Sequence, residues 1–530
     1  MYGADARPRR ALRASASAVL GMVFSIGFSS GPLPYEGVLS ALALASFATL
    51  WITSPTKRGA AGLTWLFAAG YFGAGLFWVV RSMHLFGGLP MWMALAGWAL
   101  LASGLALFPV AASAVSKPLA SRSPWAAATS FAVAWALLDF VRGHVFPDFG
   151  WLETGYAAVS TPLLSLASYG GSFAMSLALL TGAFWTGTVF ASRCTSMRTL
   201  AAGLVSLFVW AGACAWLAGL WQKAPGPAVV PESGLWVRAV QPQLPLISFT
   251  YRPSDASRLA SVAPLVSGAW PADAKPGHRL LLTPEGLLGR PFRTDDLPSI
   301  PGLYELRRAA AAPVVLSGFR VEGRRIHNTA FLWEGDRVFK VDKRDLVPFG
   351  EYVPSVARPL VDALGIPMQD LSAGSRGQPL FEAGGLRIGM LICYENLYGG
   401  TVRSFFNGSS PDLIVLTSNL AWFGPGIRGQ QLQMARVRAV EAGRPVVSVS
   451  NDGPTAWIDH RGGVLERLSD EAVDTMTLEA YRLEGAEPLY VRAGERYPLL
   501  AAALLLLISW IVCFSKKARW SRVYNGQFHD

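Results

Sequence analysis

Apolar residues fall into two regimes along this chain. Over about the first 220 positions they run almost unbroken, in stretches near the ~20 residues that a helix needs to cross a bilayer core. Stretches at 14–30, 37–53, 62–80, 92–115, 125–142, 162–191 and 199–220, with a last one at 496–514, predict about eight membrane helices. The sixth stretch is too long for one straight crossing. Pro162, Gly170 and Gly171 predict that it begins as a re-entrant or interfacial piece. The first is read as a retained span and not a cleaved signal, because further spans follow it directly.

Between residues 222 and 495 the pattern changes. Short β-rich runs at Leu235–Val240, Leu280–Leu282, Val314–Ser317, Ile388–Ile392, Leu413–Thr417 and Val446–Ser450 predict strands. Tyr304–Ala311 and Gln430–Glu441 predict helices, the second stopped by Gly443. Asn328–Trp333 and Arg337–Val341, around Glu334-Gly335-Asp336, predict a hairpin. Alternating strands and helices make a layered α/β domain. The organisation expected is a seven-span bundle over 1–221, an extramembrane domain over 222–495, and a final helix with its tail over 496–530.

Charge refines this picture. Only 15% of residues are charged, against roughly 25% in an ordinary soluble domain. The formal charge of +11 would invite a nucleic-acid partner, but its placement argues against one. Arg7, Arg9, Arg10 and Arg13 precede the first run, and Lys516, Lys517, Arg519 and Arg522 follow the last. Lys57, Arg58, Lys117, Arg122, Arg193 and Arg198 occupy alternate gaps, whereas the intervening gaps hold only Arg81 and Arg142. Positive residues gather on the cytoplasmic side of membrane proteins, so the N-terminus is expected inside and the domain at 222–495 outside. In a bacterium that outside is the periplasm. Asp139 and Arg142, near a span end, read as an interfacial pair, and so little intramembrane charge argues against a transporter.

Four cysteines are too few and scattered for a disulfide framework, and no metal-ligand spacing occurs, so neither metal nor cofactor is expected. Cys194, Cys214 and Cys513 lie in or beside apolar runs and are expected to pack as small hydrophobes. Cys393 instead ends an apolar strand, in Leu-Ile-Cys-Tyr-Glu, with polar residues following at once. Glu285 likewise ends one, in Leu-Leu-Thr-Pro-Glu-Gly, and Lys343 directly follows the hairpin. Taken singly, these residues read first as a core thiol, a turn carboxylate and a solvated ammonium. No His stands in a Cys–His arrangement, and His327 reads as structural.

Glu, Lys and Cys in that order at strand ends resemble the nitrilase (carbon–nitrogen hydrolase) superfamily. Within it, Leu-Val-Pro-Phe-Gly-Glu-Tyr-Val-Pro at 346–354 resembles the apolipoprotein N-acyltransferase family. So do Cys393-Tyr394-Glu395, Ser418-Asn419 with Ala421-Trp422-Phe423-Gly424, and Gln433-Met434-Ala435-Arg436. In the bundle, Phe72-Gly73, Phe86-Gly87-Gly88 and Trp135 through Arg142-Gly143 agree as well. Thr283, Leu420 and Asp139-Phe140 depart from the pattern, which commonly has Trp, an acid and Glu-Trp at those places.

The resemblance implies an αββα nitrilase-like domain with Glu285 as base, Cys393 as nucleophile and Lys343 as oxyanion partner. It implies supporting roles for Glu351, Tyr394, Glu395 and Asn328. The aromatic pair Trp422 and Phe423, between Asn419 and the hinge-like Gly424-Pro425-Gly426, predicts a substrate gate at the membrane interface. The resemblance further implies transfer of an acyl chain from a phospholipid to the amine of a diacylglyceryl apolipoprotein, by a monomer in the bacterial inner membrane with no nucleic-acid partner. A membrane-anchored amidase and a silent lipoprotein-binding homologue remain alternatives. Acyl-chain, head-group and lipoprotein preferences are not readable from the sequence.

Overall fold

The computed structural model describes residues 6–29, 35–145, 149–192, 197–231, 234–246, 253–363, 370–485 and 487–525. The chain divides into two compact units, residues 1–224 with 492–530 and residues 225–491.

The first unit is helical. Among the described residues, six helices are long and apolar enough to cross a membrane: Pro8–Phe28, Met91–Ser121, Pro124–His144, Pro162–Ala191, Leu204–Lys223 and Arg496–Cys513. The expected third span is not straight, because Lys57–Gly75 and Trp78–Phe86 meet at a 52° bend. Glu36–Ile52 is apolar but shorter, at 17 residues. The chain is thus a multi-pass membrane protein. The helix Ala167–Ser192 breaks where its glycine pair predicts: Gly170 and Gly171 leave helical geometry, and Gly171 has φ +67°. A Cβ at Gly170 would sit 2.4 Å from the Pro498 ring.

Inside this unit aromatic rings interlock. Phe47, Phe67, Phe131, Trp135 and Phe184 have no exposed surface or nearly none, and their centroids lie 4.3–6.3 Å apart in the observed pairs. Asp139 and Arg142 differ from expectation. Both are completely buried, with no solvent-facing surface. Arg142 donates to the carbonyls of Phe149 and Trp151, while Asp139 accepts from the backbone and hydroxyl of Thr154. Every charge in the pair is satisfied locally, which is what burial requires.

The second unit holds two six-stranded sheets. In one, the order is Asp474–Ala480, Leu235–Gln241, Arg279–Leu282, Val314–Glu322, Arg325–Glu334, Arg337–Asp342. In the other it is Val464–Arg467, Ala456–Ile458, Val446–Ser450, Leu413–Ser418, Leu386–Ile392, Phe381–Ala383. Each has a parallel centre flanked by antiparallel strands. Central strands buried on both faces read as continuous apolar runs, as Leu413–Leu416 does within the fully buried strand Leu413–Ser418.

Helices Asp255–Val266 and Leu303–Ala310 cover the first sheet through Leu259, Val262, Leu303 and Leu306 against Leu281, Val314 and Phe331. Helix Arg428–Ala442 covers the second through Leu432, Ala435 and Ala439 against Leu391, Ile414 and Val446. The sheets are joined by hydrogen bonds: Thr417 Oγ1 donates to the Thr283 carbonyl at 3.2 Å, and the Gln243 amide to the Asn451 carbonyl at 2.9 Å. The layers are therefore helix, sheet, sheet, helix.

Between Val314 and Asp342 two hairpins are present where the sequence showed one. Val314–Glu322 runs on past Ser317, turns at Gly323, and pairs along its whole length with Arg325–Glu334.

Candidate active site

Glu285 follows the short strand Arg279–Leu282 in a turn held from two sides. The Ser317 hydroxyl accepts from the Gly286 amide at 2.7 Å and donates to the Pro284 carbonyl at 3.2 Å. The buried Arg258 guanidinium donates to the carbonyls of Gly286 and Leu287, at 2.8 and 3.1 Å. Thr283, one of the departures from the family pattern, donates its hydroxyl to Val315 in the next strand at 3.0 Å. The departure costs the turn nothing visible.

Lys343 leaves the end of Arg337–Asp342, and its amide donates to the Asn328 carbonyl at 2.7 Å. Its ammonium is 1% exposed, so the solvated-lysine alternative is excluded. It lies 2.8 Å from Glu351 Oε1 and 3.5 Å from Glu285 Oε1. Asn328 Nδ2 bridges the same two oxygens, at 2.8 Å to Glu285 and 2.9 Å to Glu351. Glu351 comes from a tight loop in which its Oε2 accepts from the Val347 amide at 2.8 Å. In that loop Phe349 adopts φ +59° and is 57% exposed, while Gly350 and Glu351 both donate to the Val347 carbonyl.

Cys393 ends Leu386–Ile392 and opens a short 3-10 turn with φ +52°, a left-handed conformation that a non-glycine residue adopts at a cost of about 1–3 kcal/mol. Glu395, completely buried, ties the turn down. Its Oε2 accepts from the Ile392 amide at 2.8 Å, and its Oε1 from the Arg344 amide at 2.6 Å. Burial raises the Glu395 carboxyl, against the pull of Arg344. The Cys393 carbonyl accepts from Gln431 Nε2 at 3.1 Å. Tyr394 is buried beside it, its ring 5.5 Å from that of Tyr398.

Burial pushes the Cys393 thiol well above its ordinary value, helped by the charges of Glu285 and Glu351 and by a hydrogen bond to Glu285, while Lys343 opposes. The resting nucleophile is therefore a neutral thiol that needs a base, and Glu285 is bonded to it. For Lys343, burial alone would favour loss of the proton, but Glu351, Glu285 and the thiol outweigh it and raise the ammonium. Lys343 stays protonated, as a cation for an oxyanion must.

Trp422 and Phe423 lie on the turn Leu420–Trp422 and just after it, with Trp422 37% exposed and Phe423 half-buried. Exposure on that scale does not fit a core tryptophan. Asn419, just before the turn, donates its amide to Glu285 Oε2 at 3.0 Å. Leu420, the second departure, leaves the turn held by Asp452, whose Oδ1 accepts the Leu420 amide at 3.1 Å. Ser317, Arg258, Gln431 and Asp452 are site-building residues that sequence reading missed, and Asn419 was read there only as part of a motif. Of the packing cysteines, Cys513 is buried and Cys214 half-buried, whereas Cys194 lies outside the described residues.

A lysine, two carboxylates and a buried thiol are drawn together from two facing sheets, in a chain that also carries membrane helices. Residues 293–482 match the carbon–nitrogen hydrolase family profile, and residues 20–185 match the apolipoprotein N-acyltransferase N-terminal domain. A putative apolipoprotein N-acyltransferase of Bordetella parapertussis is 32% identical, covering 93% of this chain and 96% of that one. The apolipoprotein N-acyltransferase of Nitrosomonas europaea is 30% identical, covering 94% and 98%. The chain belongs to the apolipoprotein N-acyltransferase family. Among solved structures, an amidase from Nesterenkonia sp. is 20% identical over a match covering 52% of this chain and 98% of that one, at a TM-score of 0.36.

Proposed function

We propose that the protein moves a fatty acyl chain from a phospholipid to the α-amine of an S-diacylglyceryl cysteine at a lipoprotein N-terminus, through a thioester on Cys393. The observation that carries this reading is the buried Cys393 in the same site as a buried Lys343 that lies 2.8 Å from Glu351 and 3.5 Å from Glu285, in a chain of this family. Glu285 takes the thiol proton as sulfur attacks the donor's ester carbonyl. Lys343, with a backbone N–H at Tyr394, holds the oxyanion. The C–O bond then breaks, and the proton on Glu285 passes to the departing lysophospholipid oxygen.

In the second half the acceptor amine attacks the thioester. The C–S bond breaks, and Glu285 relays a proton from nitrogen to sulfur. Asn328 and Glu351 orient the two charged partners, Glu395 fixes the nucleophile's turn, and Trp422 and Phe423 admit the acyl chains. The enzyme works as a monomer in the bacterial inner membrane, its bundle over 1–221 and helix over 496–530 holding the domain at 222–495 in the periplasm. Both substrates are lipids, which is why a soluble catalytic fold would be tethered to a bundle.

Mass spectrometry of the purified protein after incubation with phospholipid tests this. A fatty-acyl adduct on Cys393, removed by hydroxylamine, is expected. Absence of any adduct on Cys393 under turnover conditions refutes the thioester route.

A further inference from the structure

The strand Leu386–Ile392 stops pairing one residue before the nucleophile, its last partners being Ile392 and Thr417. The peptide plane that joins Cys393 to Tyr394 therefore lies outside the sheet ladder, and the ladder does not set its direction. Two side chains brace the backbone on either side of it. Glu395 Oε2 takes the Ile392 amide at 2.8 Å, and the Cys393 carbonyl accepts from Gln431 Nε2 at 3.1 Å. The five-residue 3-10 turn that opens at Cys393 adds little rigidity of its own, because hydrogen-bond geometry in such turns is poor.

Gln431 is 1% exposed and sits on Arg428–Ala442, the helix layer that covers the second sheet on the side away from the first. Its own carbonyl accepts from Asn396 Nδ2 at 2.9 Å, a second tie between this helix and the turn. A trans peptide is planar, so its C=O and N–H point to opposite sides. A Cys393 carbonyl drawn toward the helix thus turns the Tyr394 N–H the other way, toward the sheet that carries Glu285 and Lys343. On that side the turn meets the Lys343 segment directly, since Glu395 Oε1 accepts the Arg344 amide at 2.6 Å. The charges that act on the Cys393 thiol, those of Glu285, Lys343 and Glu351, come from the same side.

We propose that Gln431 is a positioning residue for acyl transfer: by holding the Cys393 carbonyl it aims the Tyr394 N–H at the oxyanion that forms when sulfur attacks an ester carbonyl. The assignment rests on the acyl-transfer reading above, because only attack on a carbonyl creates that oxyanion. Gln431 acts through the peptide plane and not on the thiol. Its loss should slow reactions that pass through a tetrahedral intermediate and spare those that do not.

Two reactions of Cys393 in the purified full-length protein separate these cases, each followed by mass spectrometry of the peptide that carries it. A p-nitrophenyl ester acylates the thiol through a tetrahedral oxyanion and releases p-nitrophenolate. Iodoacetamide alkylates it by displacement of iodide at a saturated carbon, and no oxyanion forms. Gln431→Met fills similar space without a donor. Acylation should fall about tenfold or more, part of the roughly 10²–10³ that a fully lost oxyanion donor costs, while alkylation stays within about twofold of wild type. Gln431→Asn, shorter by one methylene, withdraws the amide from the carbonyl; its ratio of acylation to alkylation should fall likewise, and it serves if the first variant fails to fold. Asn396→Ala breaks the other tie without touching the Cys393 carbonyl, and its ratio should stay near that of wild type.

An unchanged ratio in both Gln431 variants, with the two reactions slowed together or not at all, would mean that Gln431 only props the turn, and overturns the proposal. An equal fall of the ratio in Asn396→Ala overturns it as well, since any tie to the helix would then suffice. A wild type that reacts with the p-nitrophenyl ester but takes no acyl group from phospholipid sinks the lipid-donor reading alone, and the Gln431 comparison still decides this one.

Discussion

Replacing Lys343 by Met keeps the shape of the side chain and removes the charge. The site now contains one ammonium against the carboxylates of Glu285 and Glu351, with Asn328 donating to both. After Lys343→Met two carboxylates face one amide with no cation. Breaking a buried pair in this way typically costs about 3–5 kcal/mol, unless one carboxylate takes up a proton. The same change removes the oxyanion partner, worth about 3–4 kcal/mol of barrier, or a rate loss of roughly 10²–10³. It also removes the one influence that lowers the Cys393 thiol. Two effects are therefore mixed, and a second substitution separates them. Lys343→Met/Glu351→Gln restores the original charge balance, so thermal stability should recover while acylation stays slow. Single-turnover acylation of Cys393 and melting temperature on the same preparations measure both. Acylation in the single variant within about tenfold of wild type would show that the oxyanion is held elsewhere. Recovery of acylation in the double variant would show that Lys343 acts only by balancing charge.

Cys393→Ala should abolish the acyl adduct without disturbing insertion, whereas Cys214→Ala and Cys513→Ala should retain activity; an active Cys393→Ala enzyme removes the nucleophile assignment. Because burial and the neighbouring carboxylates hold the thiol well above 9, alkylation of Cys393 by iodoacetamide should still be climbing at that pH and not levelling off near 8.5 as for an ordinary thiol; an early plateau would mean that the resting sulfur is already a thiolate. Trp422→Ala should slow turnover sharply with little change in melting temperature, since the ring is partly exposed; a fall of several kcal/mol, as for a core aromatic, would make it structural. A periplasm-dependent reporter fused near Lys275 should be active and one near Arg122 silent, and the reverse pattern overturns the orientation.

The parts of the site that sequence exposed are those whose chemistry shows in a short window. Cys393 and Glu285 stand where an apolar run stops, so a strand end and an abrupt polar residue reveal both. Lys343 was legible only through its company, because nothing local distinguishes a completely buried ammonium from a solvated one. Asn419 stood out only as part of a motif, and its role was unread for a different reason. It acts on Glu285, 134 residues away, through its backbone amide, and a backbone amide has no residue type. Gln431 and Arg258 likewise reach backbone carbonyls across distant loops. Among the elements, the extension of Val314–Glu322 was masked by Gly318 and Arg320. Gly318 is required because a Cβ there would meet Phe292 at 2.8 Å, and Arg320 is buried against Asp342 at 2.8 Å. Neither looks apolar in a sequence. The 52° bend after Gly75 went unread because its apolar run continues through it.

The division of the chemistry between two sheets has a further consequence. Glu285, Lys343 and Asn328 belong to one sheet, and Cys393 to the other, so neither half alone contains both a nucleophile and a base. A chain with only one sheet formed carries an ordinary cysteine. Reactivity arrives with the docking step that also sets the Thr417–Thr283 and Gln243–Asn451 hydrogen bonds. On the proposed thioester route, an adduct on Cys393 therefore requires both sheets to be in place, and thioester formation reports that they have docked.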